Sequence, residues 1–192
     1  MTRSTAFRAL ALALALALAL GLAFGRGCGE IGENPRHRPS SDVARCAENL
    51  RAVYAALREH RERFGGLPAA EGADFLPALV AAGVLPDDGE TARLLSCPGT
   101  GVQPEGAPYA VRDFGRFPLE RFPTSGKEVL LACANRGVMN HEGVTNALFA
   151  DGSVVTYELE LEIGRGLLPA GSTHIPVGPK SPIEALARMR AE

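Results

Sequence analysis

The chain has 192 residues, 46% of them hydrophobic, and carries 20 basic against 22 acidic residues for a formal net charge of -2. That length and apolar fraction suit one modest domain with a core of its own. The charge is nearly balanced and spread along the chain, so nothing marks out a surface for nucleic acid, and no nucleic-acid partner is expected.

Arg3 and Arg8 precede ALALALALALALGLAF, residues 9–24, an uncharged run closed by Gly25 and Arg26. Alternation of Ala and Leu has the period of a strand. Both are strong helix formers, however, and a segment apolar on every side suits lipid, where a helix satisfies its own backbone. The run is longer than a usual signal-peptide core and slightly shorter than the ~20 residues that span a bilayer comfortably. Residues 1–25 therefore read as a signal peptide or a retained membrane anchor. Either one exports the chain and makes the membrane its first expected partner. Cys28 follows a small residue in Gly-Arg-Gly-Cys, as at bacterial lipoprotein processing sites. It is a candidate for lipidation, with an ordinary linker cysteine as the alternative.

Residues 26–41 hold glycines, prolines and charges without periodicity and read as a flexible tether. One α+β domain is expected over 42–161, followed by a loop and a short helix over 162–192. From Asp42, Val43, Cys46, Leu50, Val53, Tyr54, Leu57 and Phe64 recur at helical spacing, and Gly65-Gly66 stops the pattern. This long amphipathic helix needs a flat apolar partner. Residues 73–86 suggest a shorter helix, with Asp74 as its cap and Pro77 in its first turn. Residues 96–108 read as loop. A short strand is a candidate in YAVRDFGRF, from residue 109.

Residues 128–134, EVLLACA, read as a buried strand, with an irregular stretch from there to His141. Asp151-Gly152 is expected to fill a two-residue type I′ turn, which pairs Phe149 with Val154 and Leu148 with Val155. In that register Leu148, Ala150, Val155, Tyr157, Leu159 and Leu161 share the core face, and the long helix packs on it. Residues 162–180 read as an ordered loop or loose tail. SPIEALARMRAE then suggests a helix with Ser181 at its N-cap, Pro182 at its first position and Glu184 completing a capping box. Ile183, Leu186 and Met189 would dock it.

The four cysteines, Cys28, Cys46, Cys97 and Cys133, include no C-x-x-C and are widely separated, so no metal site and no cofactor are expected. An exported chain meets an oxidising compartment, where a structural disulfide is the ordinary use of cysteine. Spacing leaves the partners open.

Two segments resemble one family. RCAENLRAVYAALREHRERFGGLPA, residues 45–69, is similar to the cysteine-containing helix of bacterial prepilin-like proteins of unknown function. HEGVTNALFADGSV, residues 141–154, resembles their signature: His141, nine residues, then Asp151-Gly152, with Asn146, Leu-Phe and Ala between. The resemblance implies a long helix against an antiparallel sheet and an envelope or surface protein, pseudopilin-like, in a secretion or fibre system. Cys97-Pro98 resembles the family's Cys-Pro loop, which implies a Cys46–Cys97 disulfide. The N-terminus departs from the family: a prepilin leader, a Gly-Phe cleavage point and a glutamate early in an unbroken helix give way to the Ala/Leu run and the tether.

Shared catalysis by His141 and Asp151 needs the two side chains within hydrogen-bonding reach. Six extended residues at ~3.3 Å each put roughly 20 Å between them. HEGVT lacks the second histidine of a zinc-protease helix, and no Gly-x-Ser-x-Gly elbow or phosphate-binding loop occurs. Asp151 reads as a turn residue. His141 reads as an anchor for its loop, with a metal or partner contact alongside Glu142 as the sharper alternative. No catalytic residue is assigned. The expected function is a non-enzymatic, exported envelope protein that binds other envelope or secretion proteins, anchored in the inner membrane, secreted or lipidated. The alternatives are a periplasmic ligand-binding lipoprotein module and, behind it, a hydrolase.

Overall fold

The computed structural model describes residues 41–100, 107–124 and 126–190, which fall within one compact unit. The Ala/Leu run, Cys28 and the tether up to residue 40 lie outside the described residues. Among the described residues no helix is long and apolar enough to cross a membrane.

Helix α1 spans Ser41–Phe64, beginning at the residue where the tether was expected to end. Asp42 in its first turn and Arg61 and Arg63 in its last complement the helix dipole, and Gly65 ends it at φ 82°. Val43, Cys46, Leu50, Val53, Ala56, Leu57 and His60 form the buried stripe. Each buried leucine or valine there stabilises by roughly 1.5–3 kcal/mol. Phe64 departs from expectation and is 56% exposed. Its ring stacks at a tilt on His60, which is buried and bonds through Nδ1 to the Gly66 carbonyl at 2.8 Å. The core therefore ends one turn before the helix does.

Helix α2 is only Pro77–Ala81. Proline sits in its first turn as expected, but the N-cap is Leu76, and Asp74 lies in a preceding 3-10 turn, Gly72–Asp74. Helix α3, Gly89–Leu94, was not anticipated, although Asp88 announces it by accepting from the Glu90 and Thr91 amides.

A four-stranded antiparallel sheet carries the rest, in the order β1-β2-β5-β6, from β1 (Ala110–Val111), β2 (Val129–Ala132), β5 (Val144–Phe149) and β6 (Val154–Glu158). Between β2 and β5, the stretch expected to be irregular forms a small hairpin, β3 (Ala134–Asn135) with β4 (Val138–Met139). Arg136 at φ 51° and Gly137 at φ 77° make its two-residue turn.

The Asp151-Gly152 hairpin is present, but its register is shifted by one residue. Leu148 pairs with Val154 and Ala147 with Val155. The loop holds three residues, not two: Phe149 N–H bonds the Ser153 carbonyl, and Gly152 sits at φ 89°. This is the geometry of a type I turn closed by a left-handed glycine. A one-residue slip inverts every side chain of β6. Val154 joins Leu148 and Ala150 under α1, Val155 is 39% exposed, and Tyr157 turns to the opposite face. Leu159 and Leu161 are not strand residues either, since helix α4 covers Leu159–Gly164 and leaves Leu161 46% exposed.

Both faces of the sheet are buried. On one, Leu130, Leu131, Leu148 and Ala150 meet α1, Phe75, Leu79 and Tyr109. On the other, Val129, Ala132, Ala147 and Phe149 are covered by Leu168, Ile175, Val177, Ile183, Leu186 and Met189. The segment after residue 162 thus belongs to the domain. Its short helix α5 is Glu184–Ala187, two residues later than a Ser181 cap would place it, with Ile183 at the N-cap. The Ser181 hydroxyl accepts from the Ile183 amide, closing a turn ahead of the helix, and Glu184 pairs with Arg188 instead of completing a capping box. Ile183, Leu186 and Met189 dock as expected.

Candidate functional site

Where the sheet meets the front half of α1, four side chains from four segments converge. Cys46 lies one turn before Leu50 on the buried stripe. Cys97 follows α3 and opens a 3-10 turn, Pro98–Thr100, in which the Thr100 amide and hydroxyl both bond its carbonyl. Cys133 joins β2 to β3; its amide donates to the Asn146 carbonyl at 2.7 Å, and its carbonyl accepts from the Thr145 hydroxyl at 2.7 Å. His141 stands at the mouth of the turn that leads into β5, its carbonyl accepting from the Val144 amide at 3.3 Å.

The three sulfurs and one His141 ring nitrogen all lie within 4.8 Å of one another. Cys97 Sγ is 2.8 Å from Cys133 Sγ and 3.3 Å from His141 Nε2. The cysteines are 0% exposed and His141 6%. Gly99 makes the approach possible, because a Cβ there would stand 2.5 Å from His141 Nδ1 and 2.8 Å from the Asn140 carbonyl. The Asn140 amide group bonds the Pro108 carbonyl at 2.7 Å and reaches Cys133 Sγ at 3.5 Å.

This corrects the expectation that the cysteines lie too far apart to share a site. Sequence separation does not bear on it, since the helix, the loop and the strand end are brought together by the core. In this structure Cys46, Cys97 and Cys133 are free, and the sulfurs in closest contact are those of Cys97 and Cys133, where the resemblance implied Cys46 with Cys97. Glu142, considered beside His141, is exposed and outside the group.

Within so dry a box three thiols cannot ionise together. Contacts from Cys133 and Cys46, with His141 adding to them, hold the Cys97 thiol far below the ordinary thiol range despite its burial. Cys133 acts to lower Cys46, but Cys97 and burial outweigh it and push Cys46 up to about 12. Burial, and then the other two sulfurs, raise Cys133 well above the ordinary value. Tyr109 is raised by its burial and by the neighbouring cysteines. Sulfur and nitrogen converging in this way can hold a soft metal ion.

Asn146, Asp151 and Gly152 serve the scaffold. Asn146 is fully buried in β5; its amide group donates to the Val43 carbonyl of α1 at 2.9 Å, and its Oδ1 accepts from the Thr156 hydroxyl at 2.8 Å. Asp151 Oδ1 accepts from the Ser153 amide and hydroxyl, at 2.8 and 2.6 Å, and these bonds hold its carboxyl below the usual range. Gly152 lies under the Tyr54 ring, whose hydroxyl donates to the Ala150 carbonyl at 3.3 Å. Strand β5 stands between His141 and Asp151, and no shared chemistry results. Cys133 was missed as a site residue. Its signal was a cysteine directly after the apolar run Val129–Ala132 and eight residues before His141.

Comparison with protein families, with curated proteins and with solved structures finds no match.

Proposed function

We propose that the chain is a non-enzymatic, exported protein of the cell envelope, pseudopilin-like, which serves as an interaction component of a secretion or surface-fibre system. The resemblance of residues 45–69 and 141–154 to prepilin-like proteins supports this reading, as does a long helix laid on an antiparallel sheet. The observation that carries it is the use to which the signature is put. Asn146 bonds the start of α1, Gly152 seats Tyr54 from its middle, and His141 meets Cys46 between them. A motif that fastens a helix to a sheet preserves a shape, and shape is what an assembly component presents. The Ala/Leu run over residues 9–24 would hold that shape at the membrane.

The test is in the cell that makes the chain. Photo-crosslinking residues placed at Arg58 and Glu62, both exposed on α1, are expected to trap the native chain on pilus or secretion components in the membrane fraction. Recovery as an uncrosslinked monomer in the soluble cytosolic fraction would overturn the reading.

A further inference from the structure

We propose that Cys46, Cys97, Cys133 and His141 are the ligands of a closed structural zinc site. Three sulfurs and one imidazole nitrogen are a donor set for Zn²⁺: thiolate selects soft or borderline ions over Ca²⁺ and Mg²⁺, and three cysteines with one histidine complete a tetrahedron. All four donors are buried, and all lie within 4.8 Å of one another. With Zn–S near 2.3 Å and Zn–N near 2.0 Å, tetrahedral donors stand about 3.5–3.8 Å apart. The Cys97–His141 distance of 3.3 Å is close to that already. The Cys97–Cys133 distance of 2.8 Å opens by about 1 Å, a movement that side-chain rotation supplies.

Thiol arithmetic points the same way. A disulfide among Cys46, Cys97 and Cys133 uses two sulfurs and leaves the third, together with the imidazole, in a sealed apolar pocket. A zinc ion uses all four groups. Metal binding is also balanced without an oxidant: Zn²⁺ enters, up to three thiol protons leave to solvent, and no electron moves. The complex carries one net negative charge, and the Asn140 amide directed at Cys133 Sγ is placed to offset part of it. Four protein ligands leave no open position, so the ion is not catalytic. Its work is to join α1, the Cys97 loop, the end of β2 and the turn before β5 at one point. Gly99 keeps the site open, because any side chain there would push the His141 ring away from the sulfurs.

The experiment uses the full chain, extracted in detergent after expression with zinc in the medium and purified without chelator or reductant. Native mass spectrometry and elemental analysis are expected to find a single zinc per chain. Alkylation should leave the three buried thiols unmodified until zinc is removed, and all three should then react. Exchange of Zn²⁺ for Co²⁺ should give thiolate-to-cobalt charge-transfer bands and the intense visible bands of a tetrahedral ion. In His141→Cys, which keeps four donors, the metal is expected to remain while the cobalt spectrum shifts toward that of four sulfurs. Cys133→Ser should lose the metal, and if that variant does not fold, the unaltered chain still decides. A chain free of metal, or one in which any two of the three cysteines are joined by a disulfide, overturns the proposal. Metal content is read on the purified chain and crosslinking in the cell, so failure of the zinc site leaves the envelope reading to its own test.

Discussion

Replacing Gly152 by alanine is a two-part perturbation, and the parts can be separated. An added Cβ would stand 2.6 Å from Tyr54 Cε1 and 3.0 Å from Cδ1 and Cζ, and Gly152 sits at φ 89°. The positive φ costs an L-residue about 1–2 kcal/mol. The collision adds about 1–3 kcal/mol, the usual range for overpacking. The Tyr54 ring cannot simply swing aside, because its hydroxyl bonds the Ala150 carbonyl and its edge meets the Phe122 ring at 5.6 Å. Gly152→Ala is therefore expected to destabilise the domain by about 2–5 kcal/mol in urea unfolding. In a Tyr54→Ala background only the φ cost remains, so the same change should cost about 1–2 kcal/mol. The double-mutant cycle should show a coupling of about 1–3 kcal/mol. Additivity to within about 0.5 kcal/mol would refute the contact between the turn and the helix.

Three further outcomes are expected. Asn146→Leu removes the bonds to the Val43 carbonyl and the Thr156 hydroxyl, so it should cost about 1–3 kcal/mol in the same assay; Thr156→Val, which removes only the bond to Oδ1, should cost about 0.5–1.5 kcal/mol. Leu50→Ala, in the core beneath α1, should cost about 2–5 kcal/mol, whereas Leu161→Ala, half exposed on α4, should stay near 0.5 kcal/mol or below; equal losses would contradict the placement of the core. Burial alone would raise the Glu128 carboxyl, but Arg112 and Arg188 more than offset it and hold it below the usual value. A depressed folded pKa contributes stability that is present above the unfolded value and is lost as pH falls through the folded one. Glu128→Gln should therefore flatten that acid limb of a stability–pH curve, and an unchanged limb would count against the ion pairs.

The helix and the hairpin were legible because each is written locally. A stripe at helical spacing ended by Gly65 has one reading, and Asp-Gly between apolar runs marks a reversal. The register was not local. A two-residue turn and a three-residue turn with glycine at its end share the same Asp-Gly, and the choice was decided by packing: Val154, not Val155, fits beneath α1 beside Leu148. The second face of the sheet was hidden for a different reason. Leu168, Ile175 and Val177 cover it as irregular chain among glycines and prolines, so no period announces them. The cysteine–histidine group was the least legible part. Cys97 lies 36 residues before Cys133 and 44 before His141, and only the finished core makes neighbours of them.

The layering of the sheet between α1 and the segment ending at Met189 sets a condition on biogenesis. As the chain leaves the ribosome, α1 and the central strands are synthesised first, and the Val129–Phe149 face stays wet until the segment from Leu168 to Met189 has emerged. Packing is thereby tied to the arrival of that segment, and a product terminated ahead of it would present a bare apolar face open to self-association.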